Sequence, residues 1–294
     1  MPMRDDKMTG ERILILGASG MLGSAMVRFL GSSPDFQVFG TVRSKSIVSR
    51  FPASLQEFLI SGVDVFRLDH LVDVFSMIRP NAVVNCIGVV KQLDSANDPL
   101  AVIPINSLFP HQLAKMARLG GARLIHVSTD CVFTGRKGGY TESDAPDADD
   151  LYGRSKLLGE VTGPGAVTLR TSIIGHELVT NHSLVDWFLS QKGPIKGYRR
   201  AIFSGIPTCE LARIVHDYVL PDEGLSGLYH VSAEPINKYT LLRLVADRYK
   251  KDIEVLPDDE TVIDRSLNSD RFRSVTAYAP PAWESLISHM YEFK

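Results

Sequence analysis

"RILILGASGMLGSAMVRFL", residues 12–30, sets an apolar β-type run against a glycine-punctuated turn and then an amphipathic helical pattern. Its reading decides the fold. A strand that turns sharply into a helix through Gly17, Gly20 and Gly23 has the context in which a glycine pattern carries meaning, since each glycine has its own task. Gly17 allows the tight turn and Gly20 lets the backbone approach a pyrophosphate. Gly23 lets the helix pack closely on the sheet. The free N–H groups from Ser19 through Met21 and Leu22, at the positive end of the helix, suit phosphate oxygens.

Working outward, the same alternation continues. "QVFGTV" from Gln37, "VDVFRL" from Val63, "AVVNCI" from Ala82, "ARLIHVS" from Ala122 and "AVTLR" from Ala166 read as further buried strands, separated by helical patterns. Runs apolar on both faces suit a parallel sheet covered on both sides. The expectation is an α/β doubly wound parallel sheet of Rossmann type. Residues 11–170 form the dinucleotide-binding domain, with its sheet completed from about 201–233. A smaller, interleaved substrate domain takes 171–200 and 234–294.

Composition narrows the functional classes. The 294 residues are 44% hydrophobic and 22% charged, with a formal charge of −2. That balance speaks against nucleic acid or an anionic membrane as the main partner. No stretch approaches the roughly 18 apolar residues of a spanning helix, and the opening "MPMRDDKMTGER" has no apolar leader segment. Cys86, Cys131 and Cys209 lack metal-ligand spacing, so no metal is expected and reduced thiols point to the cytoplasm.

After the second strand come Arg43 and Lys45, where an NAD enzyme usually carries an acid for the ribose hydroxyls. A cation there suits a 2′-phosphate and favours NADP(H) over NAD(H), which stays open. The spacing G-x-x-G-x-x-G resembles the extended branch of the short-chain dehydrogenase/reductases. That resemblance implies that Asp69 contacts adenine and that "NCIG", with Cys86 and Gly88, lies under the cofactor.

"VSTDCVFTG" (Val127 to Gly135) ends the fifth strand, and "LYGRSKLLGE" (Leu151 to Glu160) follows a polar loop. Tyr152 and Lys156 are one helical turn apart and share a face. Ser128 and Thr129 emerge at the carboxyl end of a strand, toward the crevice. Proton delivery to a carbonyl needs an acid whose pKa suits exchange. An ammonium beside a tyrosine lowers the phenol from near 10, and a hydroxyl holds the carbonyl oxygen.

The Ser-Thr-Asp-x-Val-Phe segment, the Tyr-x-Glu-x-Asp loop and the Tyr-Gly-x-Ser-Lys-Leu-x-Gly-Glu helix together resemble the dTDP-4-dehydrorhamnose reductases and related nucleotide-sugar 4-ketoreductases. The likeness continues in "LRTSIIG", "PTCELARIV" and "DRSLNSDRF", over nearly the whole chain. It implies a catalytic set of Thr129, Tyr152 and Lys156, with Lys156 also holding the nicotinamide ribose. It implies reduction of a nucleotide-linked 4-keto-6-deoxy sugar, dTDP-linked or a UDP-linked N-acetylated analogue, for cell-surface polysaccharide. Ser128, Lys91, Arg170, Arg265 and Asn268 are candidates for the substrate, and a homodimer is an open expectation. The basic cluster "KGYRR" (Lys196 to Arg200) is a further candidate for the diphosphate.

Two departures leave alternatives. Cys131 stands where the family often has Tyr, two residues past the catalytic hydroxyl, as in GDP-fucose synthase-like epimerase-reductases. A histidine for that chemistry is His176 or His182. The methionine adenosyltransferase β subunit resembles the same family, so a non-catalytic NADP-binding regulatory subunit is the other alternative. An Asp130-Cys131 pair in place of Asp-Glu argues against a dehydratase.

Overall fold

The computed structural model describes residues 10–91 and 97–294; residues 1–9 of the polar opening stretch lie outside them. Strands β1 (Glu11–Leu16), β2 (Phe36–Val42), β3 (Leu59–Ser61), β4 (Ala82–Asn85), β5 (Arg123–Thr129) and β6 (Ala166–Thr171) join Gly227–His230 in one sheet of seven strands. From one edge the order is Gly227–His230, β6, β5, β4, β1, β2, β3. Every neighbouring pair is parallel. The order reverses between β1 and β4, the switch point at which such sheets open a crevice beyond their carboxyl ends.

β1 shows why two-sided apolar runs make this sheet. Ile13 and Ile15 point into the core shared with Met26, Val27 and Leu30 of helix Met21–Leu30. Leu14 and Leu16 point into the opposite layer, against Leu71, Val74 and Leu113. All four are fully buried. The later residues do not form a detached unit. Ile214, Val215, Leu286 and Met290 share the first of these cores with β1. Short strand pairs, Ile173–Ile174 with Ile206–Pro207 and Ile195–Tyr198 with Val255–Asp258, and the trio of Ile236–Asn237, Ala201–Phe203 and Ile263–Asp264 complete that part.

One strand differs from its sequence reading. The third strand is Leu59–Ser61, not "VDVFRL" from Val63. It is an edge strand held only by β2. Residues 64–67 turn, with Asp64 Oδ1 accepting from the Phe66 amide at 3.0 Å. The chain then enters helix Leu68–Ile78.

At the turn after β1, Gly17 has φ +80°, and a Cβ there would sit 2.8 Å from Ile87. Gly23 is tighter: its Cβ would lie 2.1 Å from the Gly17 carbonyl oxygen. Gly23→Ala must therefore push helix and turn apart, and is expected to lose about 1–3 kcal/mol, the usual cost of overpacking. Gly20→Ala, with 3.5 Å of clearance, should melt close to the native protein. Differential scanning calorimetry of the two variants compares them directly, and equal melting would contradict the packing role.

Candidate active site

A cleft of about 610 Å³ opens at the carboxyl ends of β1, β4 and β5. Gly20, Met21 and Leu22 line it from the glycine turn, Cys86 and Gly88 from beyond β4, and Ser128 and Thr129 from β5. Tyr152 and Lys156 project into it from helix Leu151–Leu158. Lys91, Cys131, His182, Phe203, Lys238 and Arg265 also reach it.

Three local features seat the Tyr-Lys helix. Asp150 caps it, accepting from the Gly153 amide at 2.7 Å, while its other oxygen takes Lys91 Nζ at 2.6 Å. A Cβ on Gly153 would lie 2.2 Å from the Cys131 carbonyl oxygen, and one on Gly159 would lie 1.8 Å from that of Asn106. Only glycine allows the helix this close to the turn Asp130–Val132 after β5 and to the π-helical stretch Ile103–Leu108. Asn106 uses that proximity. Its Oδ1 accepts from Val89 N at 2.9 Å, and its Nδ2 donates to Val89 O at 3.0 Å and Ser155 Oγ at 3.2 Å. The segment after β4 is thereby tied to the helix.

Thr129 ends β5. Its Oγ1 accepts from Cys131 N and donates to Asp130 Oδ1, both at 3.1 Å. It also lies near enough to the Tyr152 phenol to favour the phenolate. Burial pushes the phenol pKa up, with Cys131 adding to it, and the Thr129 hydroxyl acts in the opposite direction. Lys156 is not among the larger influences on it, as the spacing had suggested it would be. Its ammonium donates instead to the Val127 carbonyl at 2.8 Å. Burial brings Lys156 down to about 8, against the opposing pull of Glu160 and Cys86. Burial also raises Asp130 and lifts the Cys86 and Cys131 thiols to about 12. The site thus holds a neutral tyrosine beside a lysine that titrates near neutrality.

The other expected residues divide. Ser19 lies within the glycine turn, between Ala18 and Gly20. Arg43 follows β2 directly and is exposed. Asp69 is not at the cleft: it stands in the first turn of Leu68–Ile78, 59% exposed and paired with Arg67 at 2.6 Å. The displaced third strand explains this, because Asp64 is the acid that follows β3 closely. Arg265 lines the cleft, with Nε donating to the Phe133 carbonyl at 2.8 Å. Asn268 does not; it accepts from the Asp270 amide at 2.8 Å at the start of helix Asp270–Thr276. Within "KGYRR", Lys196 pairs with Asp258 at 2.8 Å on the Ile195–Tyr198 and Val255–Asp258 strand pair, and Arg199 pairs with Asp259 just past its end.

Arg170 also changes role. It and Glu160 are buried, with side chains 4% and 7% exposed. They form a two-pronged pair, Nε–Oε1 and Nη2–Oε2 at 2.7 Å each. Ser128 Oγ donates to the same Glu160 at 2.7 Å. Arg170 therefore braces the site from beneath instead of meeting a substrate. Of the histidines, His176 is held between Asp186 at 2.6 Å and the Tyr249 hydroxyl at 2.7 Å, and only His182 of the two lines the cleft. Among the described residues, no group of His, Cys, Asp and Glu is arranged to hold a metal.

Sequence reading missed Lys238 and Asn106. The first sits at the start of a strongly helical run and the second in an unremarked stretch before "PHQLAKMARLGG". Neither has a local signal, since both gain their place through contacts far along the chain.

Residues 11–291 match the family described as RmlD substrate binding domain. The chain belongs to that family. Among its relatives are the methionine adenosyltransferase 2 subunit beta of Danio rerio, 29% identical over 81% of this chain and 74% of that protein. The dTDP-4-dehydrorhamnose reductase of Aggregatibacter actinomycetemcomitans is 25% identical over 76% of this chain and 74% of its own length. The RmlD-family fold agrees with a solved dTDP-4-dehydrorhamnose reductase of Bacillus anthracis in complex with NADP. It superposes with TM-score 0.79 at 20% identity, over 97% of this chain and all of that one. No helix among the described residues is long and apolar enough to cross a membrane.

The brace yields a stability prediction. Arg170→Leu strands a buried carboxylate and should cost about 3–5 kcal/mol, whereas Arg170→Leu with Glu160→Leu should recover much of it. Urea unfolding of both measures the difference; a double variant no more stable than the single one would show that the pair is not the source.

Proposed function

We propose that the protein is an NADPH-dependent reductase that converts the C4 carbonyl of a nucleotide-linked 4-keto-6-deoxy sugar to an alcohol. The observation that carries the reading is that Thr129, Tyr152 and Lys156 share one cleft with the glycine turn. Relatives named dTDP-4-dehydrorhamnose reductase and probable low-salt glycan biosynthesis reductase support it. So does the NADP in the Bacillus anthracis enzyme of like fold. The place of action is the cytoplasm, and the product serves polysaccharide assembly.

The residues fit the cofactor. A Cβ on Gly20 would meet only the Gly17 carbonyl oxygen, at 3.5 Å, the first amides of helix Met21–Leu30 have no carbonyl of an earlier turn behind them, and exposed Arg43 follows β2. The pyrophosphate belongs at the helix start, the 2′-phosphate at Arg43, and the nicotinamide ribose at Lys156. Bound NADPH supplies a hydride to the carbonyl carbon. The chain's own part is the proton. Neutral Tyr152, kept protonated by burial, donates it to the carbonyl oxygen. The hydroxyl of Thr129 turns from Asp130 to hold that oxygen in line.

Two outcomes test this. Tyr152→Phe removes only the hydroxyl, so NADPH binding should persist while turnover falls by roughly 100-fold or more. Near-normal turnover in the folded variant would end the mechanism. The pH profile follows from Lys156, whose folded pKa is depressed to about 8. Its ammonium is present below that value and lost above it. Because Tyr152 is shifted upward and keeps its proton, kcat/KM should be level below about pH 8 and decline above it. A decline beginning only near the ordinary lysine value would contradict the assignment.

A second reading rests on the likeness to methionine adenosyltransferase 2 subunit beta. There the chain binds NADP and regulates a partner without turnover. A folded, NADPH-binding protein inert toward every 4-keto-6-deoxy nucleotide sugar would favour it.

A further inference from the structure

Lys238 is the cleft residue with no role so far. It is the first residue of helix Lys238–Tyr249, whose capping residue Asn237 accepts from Thr240 N at 2.8 Å. A cation there opposes the helix dipole. It is also half-buried at the cleft wall, and desolvation there lowers its pKa and makes an unpaired charge costly. The Phe203 ring, 4.8 Å from Nζ, offers only a weak partner. No hydrogen bond or ion pair to a described residue offsets these penalties. Arg265 nearby is different, being anchored on the Phe133 carbonyl.

The surroundings indicate what the ammonium faces. Asp130 is the acid that favours its protonated form; it lines the same cleft and directly follows Thr129, where the carbonyl oxygen is to be held. A donor and an acceptor of opposite charge on one cleft suit a neutral hydroxyl better than an anion. The hydroxyl accepts from the ammonium and donates to the carboxylate.

We propose that Lys238, together with Asp130, recognises a sugar hydroxyl adjacent to the reacting carbonyl, and so selects the sugar rather than the nucleotide diphosphate. This rests on the nucleotide-sugar reading of the cleft. The assignment makes Lys238 a specificity residue that touches substrate without moving the reaction's proton.

Calorimetric titration of the NADP+-saturated protein tests it, with UDP, UDP-glucose, dTDP and dTDP-glucose as probes. In Lys238→Met, the affinity for the sugar nucleotide that binds native protein should fall about tenfold or more, the range of a charged hydrogen bond. Affinity for the matching diphosphate should hold. Lys238→Gln keeps a donor and much of the stem over Phe203, controls for folding, and should lose less. Equal losses for sugar nucleotide and diphosphate would overturn the proposal by placing Lys238 on the diphosphate. No loss on either would overturn it by making Lys238 structural. Native protein that binds none of the four probes overturns both this proposal and the nucleotide-sugar reading. A Lys238-dependent sugar increment without turnover of any keto sugar upholds the proposal and sinks the reductase reading alone.

Discussion

Glu160 and Arg170 meet through two bonds of 2.7 Å in the interior, and four parts of the chain are tied there. Glu160 lies just past the Tyr-Lys helix and takes Ser128 at the end of β5. Arg170, in β6, also meets His230 at 3.3 Å. His230 takes hydrogen bonds further, to Glu142 Oε1 at 2.7 Å through its amide and to the Tyr140 carbonyl at 3.0 Å through its ring. The Arg170 guanidinium also lies over Phe133, which stacks on Tyr140. A buried ion pair of this kind contributes little net stability against an apolar replacement. What it supplies is position: the end of β5 and the helix carrying Tyr152 and Lys156 cannot slide without stranding a charge.

Burial does more than hold these groups still. The same removal of water keeps the Tyr152 phenol protonated and brings Lys156 near neutrality. It also keeps the Cys131 thiol neutral, at about 12. A reductase needs an acid that retains its proton until the carbonyl oxygen becomes basic, and a buried phenol has that property. In the epimerase-reductase alternative, a neutral Cys131 thiol would start as the proton donor and not as the base. His176 is committed to Asp186 and Tyr249, which leaves that chemistry only His182.

The fold was legible where local pattern and global burial agree. The apolar runs of β1, β2, β4, β5 and β6 are buried on both faces, so sequence alone marks them. β3 escaped because a three-residue edge strand needs no such run, and the apolar alternation of "VDVFRL" imitated one. The error carried forward to Asp69. Thr129, Tyr152 and Lys156 were legible because helical spacing and strand-end position are local properties. The interior place of Arg170 was not, since "LRT" reads equally well with its arginine turned to a substrate. Lys238 was hidden for the opposite reason, as a lysine on an amphipathic helix draws no notice until it is seen to share the cleft with Asp130.

The central claim is that this cleft reduces a sugar carbonyl with hydride from NADPH. Absorbance at 340 nm, followed after adding enzymatically prepared dTDP-4-keto-6-deoxyglucose and its UDP-linked N-acetylated counterpart, tests it most directly. The account predicts NADPH loss that depends on one of these keto sugars and matches the alcohol formed mole for mole. A protein that binds NADPH yet leaves the absorbance unchanged with both would contradict it.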